Sequence, residues 1–458
     1  MLPQAFIEQM CALLGNAEAG ALCTALTETQ PPVSIRRHPV KGGEAFADEE
    51  RVGWCEAGRY LAERPSFTFD PRLHGGAYYV QEASSMFIEQ AYRRIAEDNT
   101  PQRLLDLCAA PGGKSTLWRS LLPDGALLVA NEPIRPRAQI LAENLTKWGH
   151  PDVVVSRAYP EEFSPLGSFF DVIAADVPCS GEGMFRKDEQ TREEWSPEAV
   201  LTCAERQRSI IADVWPALRE GGYLVYSTCT FNREENEDNV AYICRELGAE
   251  LVEIPLDPQW NVKGDTTERE LPVYHFFPHH TRGEGIFLAL LRKTSEAPAL
   301  REKKTRKPDK KKTAPIPSAA TMAAWLSPSA DYSLFRPSEE TIAAVRSTLL
   351  SDVQRVIATV QTLTTGVLLA EEKGRKLIPQ HALALSSALA ETAFPREELS
   401  YEQAIAYLRR EAITLSSEAP RGYVLVCFEG LSLGFVNNLG ARANNLYPNE
   451  WRIRKAAP

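Results

Sequence analysis

The 458-residue chain has no apolar run long enough to cross a bilayer. Its first residues lack the basic start and long apolar stretch of a secretory signal. Patterned cysteine is missing as well. The nine cysteines (positions 11, 23, 55, 108, 179, 203, 229, 244 and 427) show neither metal-ligand spacing nor the density of a disulfide framework. The expectation is a cytoplasmic protein with free thiols, no membrane association and no metal. An excess of positive charge is absent too: 51 Lys and Arg stand against 61 Asp and Glu, a net charge of −10. That excludes a uniformly basic coat for nucleic acid, but not a single basic face.

What is present is a globular composition, 44% hydrophobic and 24% charged. The length exceeds one ordinary core and predicts about two to four domains. Residues 1–15 read as an amphipathic helix carrying Phe6, Ile7, Met10, Leu13 and Leu14. From Arg103 onward, apolar runs at 104–107, 126–130, 153–155, 170–175 and 223–226 alternate with helical stretches. Residues 134–148 place Ile134, Ala138, Leu141 and Leu145 at helical spacing. A second helix opens at Ser196-Pro197-Glu198, where a serine cap, a first-turn proline and an early acid coincide. The pattern predicts an α/β fold with a mostly parallel sheet covered on both faces. Further strands are expected at 273–277 and 286–291.

Residues 295–318 lose apolar periodicity and carry the basic run from Arg301 to Lys312, a linker able to stay extended and attract polyanions. Residues 327–350 read as mainly helical, and 368–451 as short strands and glycine turns in a compact barrel-like module. The resulting division is 1–98, 99–294, a basic linker 295–318, a helical connecting region 319–367, and 368–458.

The segment Asp106-Leu107-Cys108-Ala109-Ala110-Pro111-Gly112-Gly113-Lys114 joins an apolar strand to a helix through a turn of small residues. Glycine allows close backbone approach there, and the amides at a helix start suit a polar ligand group. The full dinucleotide fingerprint and the phosphate-binding loop are both absent. The next strand ends in Asn131-Glu132-Pro133, where an acid is placed to hold ribose hydroxyls. These residues admit either a methionine-derived sulfonium nucleoside or a nicotinamide cofactor.

Two cysteines then follow two strand ends, in Asp176-Val177-Pro178-Cys179-Ser180-Gly181 and Ser227-Thr228-Cys229-Thr230. A parallel sheet brings both turns to the edge that already holds the cofactor loop. One thiolate could add to an electron-poor ring carbon while the other moves a proton. Cytosine requires such help, because its C5 is a weak nucleophile until C6 has been attacked. Asp176 could hydrogen-bond or protonate N3.

The runs DLCAAPGGK (106–114), DVPCSG (176–181) and YSTCT (226–230) resemble motifs of the Nop/Sun-type RNA cytosine-5 methyltransferases. The residues 181–187 (GEGMFRK), 283–285 (GEG), 78–82 (YYVQE) and 444–448 (NNLYP) are similar to features of the bacterial branch that acts on small-subunit ribosomal RNA. The resemblance implies a Rossmann-like class I methyltransferase sheet, an N-terminal RNA-contacting domain and a C-terminal PUA-like module. It implies Cys229 as nucleophile and Cys179 as the residue that assists C5 deprotonation and release. It further implies S-adenosyl-L-methionine held by Cys108 to Lys114, Glu132, Arg137 and Asp176. RNA contacts are expected from Arg36, His38, Gln81, Arg186 and Lys187, and the partner is expected to be ribosomal RNA of the small subunit or an assembly intermediate. Two positions depart from the family pattern: His38 stands where asparagine is common, and 156–159 (SRAY) offers no acid for the adenine. The same chemistry on transfer RNA, a non-catalytic ribosome-assembly factor and a nicotinamide oxidoreductase are the competing readings.

Overall fold

The computed structural model describes residues 1–295, 316, 318–374 and 376–455. The basic run from Arg301 to Lys312 lies outside the described residues. The chain opens with a helical pair, α1 (Gln4–Leu14) and α2 (Asn16–Glu28). A small antiparallel sheet follows, from β1 (Val33–Arg37), β2 (Arg51–Val52), β3 (Cys55–Leu61) and, after the short α3 (Pro71–His74), β4 (Tyr78–Val80), in the order β2-β3-β1-β4. Helix α4 (Ile88–Asp98) leads into the large sheet.

That sheet alternates with its helices: β5 (Arg103–Asp106), α5 (Gly113–Leu121), β6 (Leu127–Asn131), α6 (Arg135–Trp148), β7 (Val153–Ser156), β8 (Phe170–Asp176), α7 (Glu189–Glu194), α8 (Pro197–Val214), β9 (Leu218–Thr228), α9 (Glu237–Leu247), β10 (Ala249–Leu251), β11 (Val273–His275) and β12 (Phe287–Lys293). Strands β7, β6, β5, β8 and β9 lie side by side in that order and are parallel. Successive residues of the central strands are buried on opposite faces. Leu104, Leu128, Val172 and Val225 pack with Leu117, Trp118 and Leu141 on one side. Leu105, Val129, Ile173 and Leu224 pack with Ile211, Val214 and Val240 on the other. A strand sealed on both faces has no polar side to show, which is why the sequence reads there as unbroken apolar runs. Both expected helices form, and Ser196 Oγ accepts the Ala199 amide at 3.1 Å to cap the second.

The C-terminal part comprises α10 (Ala319–Ala323), β13 (Tyr332–Phe335), β14 (Thr341–Arg346), α11 (Leu350–Thr359), β15 (Thr362–Thr365), β16 (Val367–Lys373), β17 (Lys376–Pro379), α12 (His381–Leu385), β18 (Arg396–Glu398), α13 (Tyr401–Leu408), β19 (Gly422–Phe428), β20 (Leu431–Asn438) and β21 (Ala443–Asn445). The helical reading of 327–350 is corrected, since its regular structure is mainly the two strands β13 and β14. The cause is local ambiguity: a short apolar run such as Ile342 to Val345 fits a strand or a buried helical turn equally well. The 319–367 stretch is more than a connector. Strand β15 pairs antiparallel with β7 and closes the edge of the large sheet, and the sheet β13-β14-β16-β17 runs across position 367. Strands β18-β19-β20-β21 form a second four-stranded sheet. Lys41 ties these parts together, its Nζ donating to Lys147 O at 2.8 Å and Leu385 O at 2.6 Å. Among the described residues no helix is long and apolar enough to cross a membrane.

Candidate active site

Parallel pairing puts the ends of β5, β6, β8 and β9 on one edge, so four sequence-distant turns converge. After β5, Gly112 takes φ +116° at the start of α5, a conformation L side chains rarely adopt. Its missing Cβ would stand 3.3 Å from Leu141, so the loop also packs tightly on α6. Asn144 of α6 donates to Pro111 O at 2.8 Å, and Arg137 reaches Ala110 O at 3.4 Å. Buried Glu132, just after β6, pairs with Arg137 at 3.3 Å and accepts the Ile134 amide at 3.0 Å. Asp106, at the end of β5, accepts from Ser115 Oγ at 2.6 Å. Burial pushes its carboxyl up to about 7. Cys108 lines this loop, and burial raises its thiol far above the usual range, so it is unreactive there.

Across the crevice, Asp176 at the end of β8 takes Lys114 Nζ at 2.8 Å on one oxygen and Ser227 Oγ at 2.9 Å on the other. Burial works against the Lys114 ammonium, but Asp176 more than offsets it and holds its pKa above the ordinary value. Thus the residues expected at the cofactor, from Cys108 to Lys114, Glu132, Arg137 and Asp176, gather at one edge of the sheet. Its glycine turn, free helix-start amides and buried Glu132 carboxylate suit a nucleoside carrying a charged amino-acid tail. Tyr159 is 57% exposed just beyond β7.

The two cysteines meet at the next turn pair. Cys179 Sγ and Cys229 Sγ are 3.2 Å apart, and the Cys229 amide lies 3.4 Å from Cys179 Sγ. The hydrogen bond with Cys229, reinforced by burial, raises the Cys179 thiol well above its ordinary pKa. Either sulfur can donate in this contact.

The five residues expected at the RNA are not all brought to the cleft. Arg36 is fully buried, with Nε on Gln81 Oε1 at 2.7 Å, Nη2 on Thr116 Oγ1 at 2.5 Å and its guanidinium 4.4 Å from the Trp148 ring. Gln81 is buried with it. His38 accepts the Val40 and Lys41 amides on Nδ1, each at 3.0 Å, and its Nε2 lies 3.1 Å from Trp148 O. Burial, with Lys41 and Arg36 adding to it, holds His38 neutral, its pKa drawn down to about 2. These three side chains use their polar groups inside the protein. Arg186 and Lys187 approach Glu284 at 3.9 and 3.7 Å, and only Lys187 is exposed. Away from the cleft, Glu18, His279 and His280 bring ligand-type atoms together, as do Asp124, His150 and Asp152. In each cluster the groups already bond one another, and Arg346 reaches both aspartates of the second.

A family model for "16S rRNA methyltransferase RsmB/F" matches residues 95–292. One for the N-terminal domain of the 16S rRNA methyltransferase RsmF matches 2–83, and one for the RsmF PUA domain matches 394–453. The ribosomal RNA small subunit methyltransferase F of Klebsiella pneumoniae is 32% identical over 411 residues, spanning 87% of this chain and 84% of that protein. Its counterpart in Escherichia coli O157:H7 is 33% identical over 414 residues, with the same coverage. The chain belongs to the RsmB/F family. Like the family, it is an S-adenosylmethionine-dependent RNA (cytosine-5) methyltransferase that modifies ribosomal RNA. The crystal structure of NSun6 from Pyrococcus horikoshii with SFG shares the fold, with TM-score 0.54 and 22% identity over 64% of this chain and 99% of that one. A methyltransferase homolog from the same organism gives 0.51 and 24% over 64% and 100%.

Sequence reasoning missed the layer behind the RsmB/F cysteines. Glu182, Gln207, Asn232 and Glu235 are buried there and bonded to the two cysteine turns. Residues 232–237 (NREENE) look like a solvated charged stretch, and Gln207 is an unremarked polar position on a helix. The one available signal was a cluster of acids and amides directly after Cys229.

Proposed function

We propose that this enzyme methylates C5 of cytosine in the 16S RNA of the small ribosomal subunit, through a covalent adduct between Cys229 and C6. The observation that carries the two-cysteine reading is the 3.2 Å contact of Cys179 and Cys229 at the ends of adjacent parallel strands, beside Asp176. Cys179, holding the shared proton, leaves Cys229 as the attacking sulfur. Its electron pair forms the S–C6 bond, and the C5–C6 π pair becomes available at C5. Asp176, oriented by Lys114 and Ser227, is assigned to N3, where it supports the charge that the addition pushes into the ring. When bound, S-adenosylmethionine supplies the electrophilic methyl group. With Cys229 tied up in the adduct, the hydrogen bond that kept Cys179 protonated is gone. Cys179 loses its proton to solvent and takes the C5 proton. The freed pair re-forms the C5–C6 double bond, the S–C6 bond breaks, and Cys229 leaves as thiolate.

Residues 368–458, and within them the PUA-type segment, are assigned to RNA affinity, and residues 1–98 to further RNA contact. Residues 99–294 hold the chemistry, and 319–367 complete the sheet edge. A ribosomal RNA substrate implies work in the cytoplasm. The test combines bisulfite sequencing of small-subunit RNA with and without the gene and a denaturing gel of two variants. Cys179→Ala should give a slow, protease-sensitive RNA adduct only when RNA and S-adenosylmethionine are both present, and Cys229→Ala none. An unchanged 5-methylcytosine map would refute the substrate, and normal turnover by either variant the mechanism.

A further inference from the structure

The turns that carry the two cysteines are held by crossed contacts. Glu182 lies on the Cys179 side, three residues past that cysteine, yet its carboxylate accepts the amides of Phe231 at 2.6 Å and Asn232 at 3.1 Å, just beyond Cys229. Glu235 lies on the Cys229 side, yet its carboxylate accepts the Ser180 amide at 3.1 Å, immediately beyond Cys179. Both glutamates are 0% exposed. The Asn232 amide nitrogen sits 2.9 Å from each of them.

Each carboxylate has a dedicated orienting donor as well. Trp195 Nε1 lies 3.1 Å from Glu182, and Gln207 Nε2 lies 2.6 Å from Glu235. Gln207 Nε2 also reaches Pro178 O at 3.0 Å, so the Glu235 side grips the Cys179 turn before and after the sulfur. Gly183 completes the pattern by donating its amide to Cys229 O at 2.8 Å. A Cβ at Gly183 would stand 2.9 Å from that same oxygen. Two buried carboxylates side by side are costly unless they do something the fold needs. Burial accordingly raises both from the ordinary range, Glu235 to about 7.

We propose that Glu182 and Glu235 are positioning residues with separate duties: Glu182 sets Cys229 for attack on C6, and Glu235 sets Cys179 for the proton removal that frees the enzyme. This rests on the two-cysteine reading above. Neither glutamate touches the base. Each acts through the turn it holds, and a sulfur displaced by about an ångström costs on the order of 100-fold in its own step.

The experiment uses the full-length enzyme, small-subunit RNA from cells lacking the gene, and S-adenosylmethionine, and reads adduct formation and adduct clearance separately by rapid quench. Glu235→Ala should slow clearance on the order of 100-fold relative to formation, so adduct accumulates; Glu182→Ala should slow formation relative to clearance by a similar factor, so adduct is scarce. Glu235→Gln and Glu182→Gln, which keep an acceptor oxygen, should recover much of each loss. If an alanine variant fails to fold, Gln207→Ala tests the Glu235 half by removing its contacts with Glu235 and with Pro178 O, and Trp195→Phe tests the Glu182 half by removing the Nε1 donor. Equal slowing of both steps in both folded variants would overturn the division of labour. Cys179→Ala runs alongside: if it accumulates no adduct, the two-cysteine reading fails, whatever the glutamates do.

Discussion

Lys114 at the start of α5 and Asp176 at the end of β8 join the glycine loop after β5 to the turn leading to Cys179 by a 2.8 Å ion pair. Ser227 of β9 bonds the other Asp176 oxygen, so three neighbouring strand ends share one carboxylate. Lys114→Met removes the cation and leaves Asp176 free to turn away from the position proposed for N3. Turnover should fall on the order of 100-fold, with the melting temperature little changed because the pair is only half-buried. Single-turnover methyl transfer, measured beside thermal unfolding, checks this. A folded variant with wild-type rates would remove the pair from the mechanism.

Glu132 presents a buried carboxylate at the end of β6, held from one side by Arg137 and by the Ile134 amide. Two ribose hydroxyls losing a charged acceptor cost about 1.5–3 kcal/mol, roughly 10–100-fold in Kd. Titration calorimetry of Glu132→Ala with S-adenosylmethionine should show that loss. Unchanged affinity would take Glu132 out of the ribose site.

Arg36, expected at the RNA from the family resemblance, points inward onto Thr116 of α5 and over Trp148. Its expected effect is therefore on the cofactor loop. Arg36→Lys, which cannot span Gln81 and Thr116 with a planar fork, should weaken S-adenosylmethionine binding and lower stability by about 1–3 kcal/mol. RNA affinity in a filter-binding assay should change less than cofactor affinity, and the reverse order would restore Arg36 as an RNA ligand.

What was legible follows the same logic. Strands sealed on both faces announce themselves as continuous apolar runs, and the Ser196 cap and glycine turns are local chemistry, so the catalytic sheet and its helix starts could be read directly. The convergence of Cys179 and Cys229 followed from parallel topology alone. The layer beneath was hidden because a buried glutamate and a solvated one are the same letter: nothing local distinguishes Glu235 from its neighbour Glu234. The pairing of β15 with β7 was hidden for another reason, since an edge partner arriving from about two hundred residues downstream leaves no periodic trace.

Asp106 gives the apo-enzyme a pH dependence whose sign can be worked out. It is fully inside the fold, where burial, together with the nearby Asp176, pushes its carboxyl up to about 7 against the partial counter-effects of Ser115 and Lys114. The folded state therefore binds a proton more tightly than the unfolded chain, whose aspartate titrates near 3.8. The stability Asp106 contributes is fully present below that lower value. It is lost as pH rises through about 7, at up to about 1.4 kcal/mol per unit. Asp106→Asn keeps an acceptor for Ser115 and cannot ionise, so it should flatten this decline. Urea unfolding of both proteins at pH 5.5 and pH 7.5, without cofactor, gives the comparison. Wild type should lose more stability than Asp106→Asn across that interval, and parallel losses would mean that Asp106 already carries its charge at the lower pH.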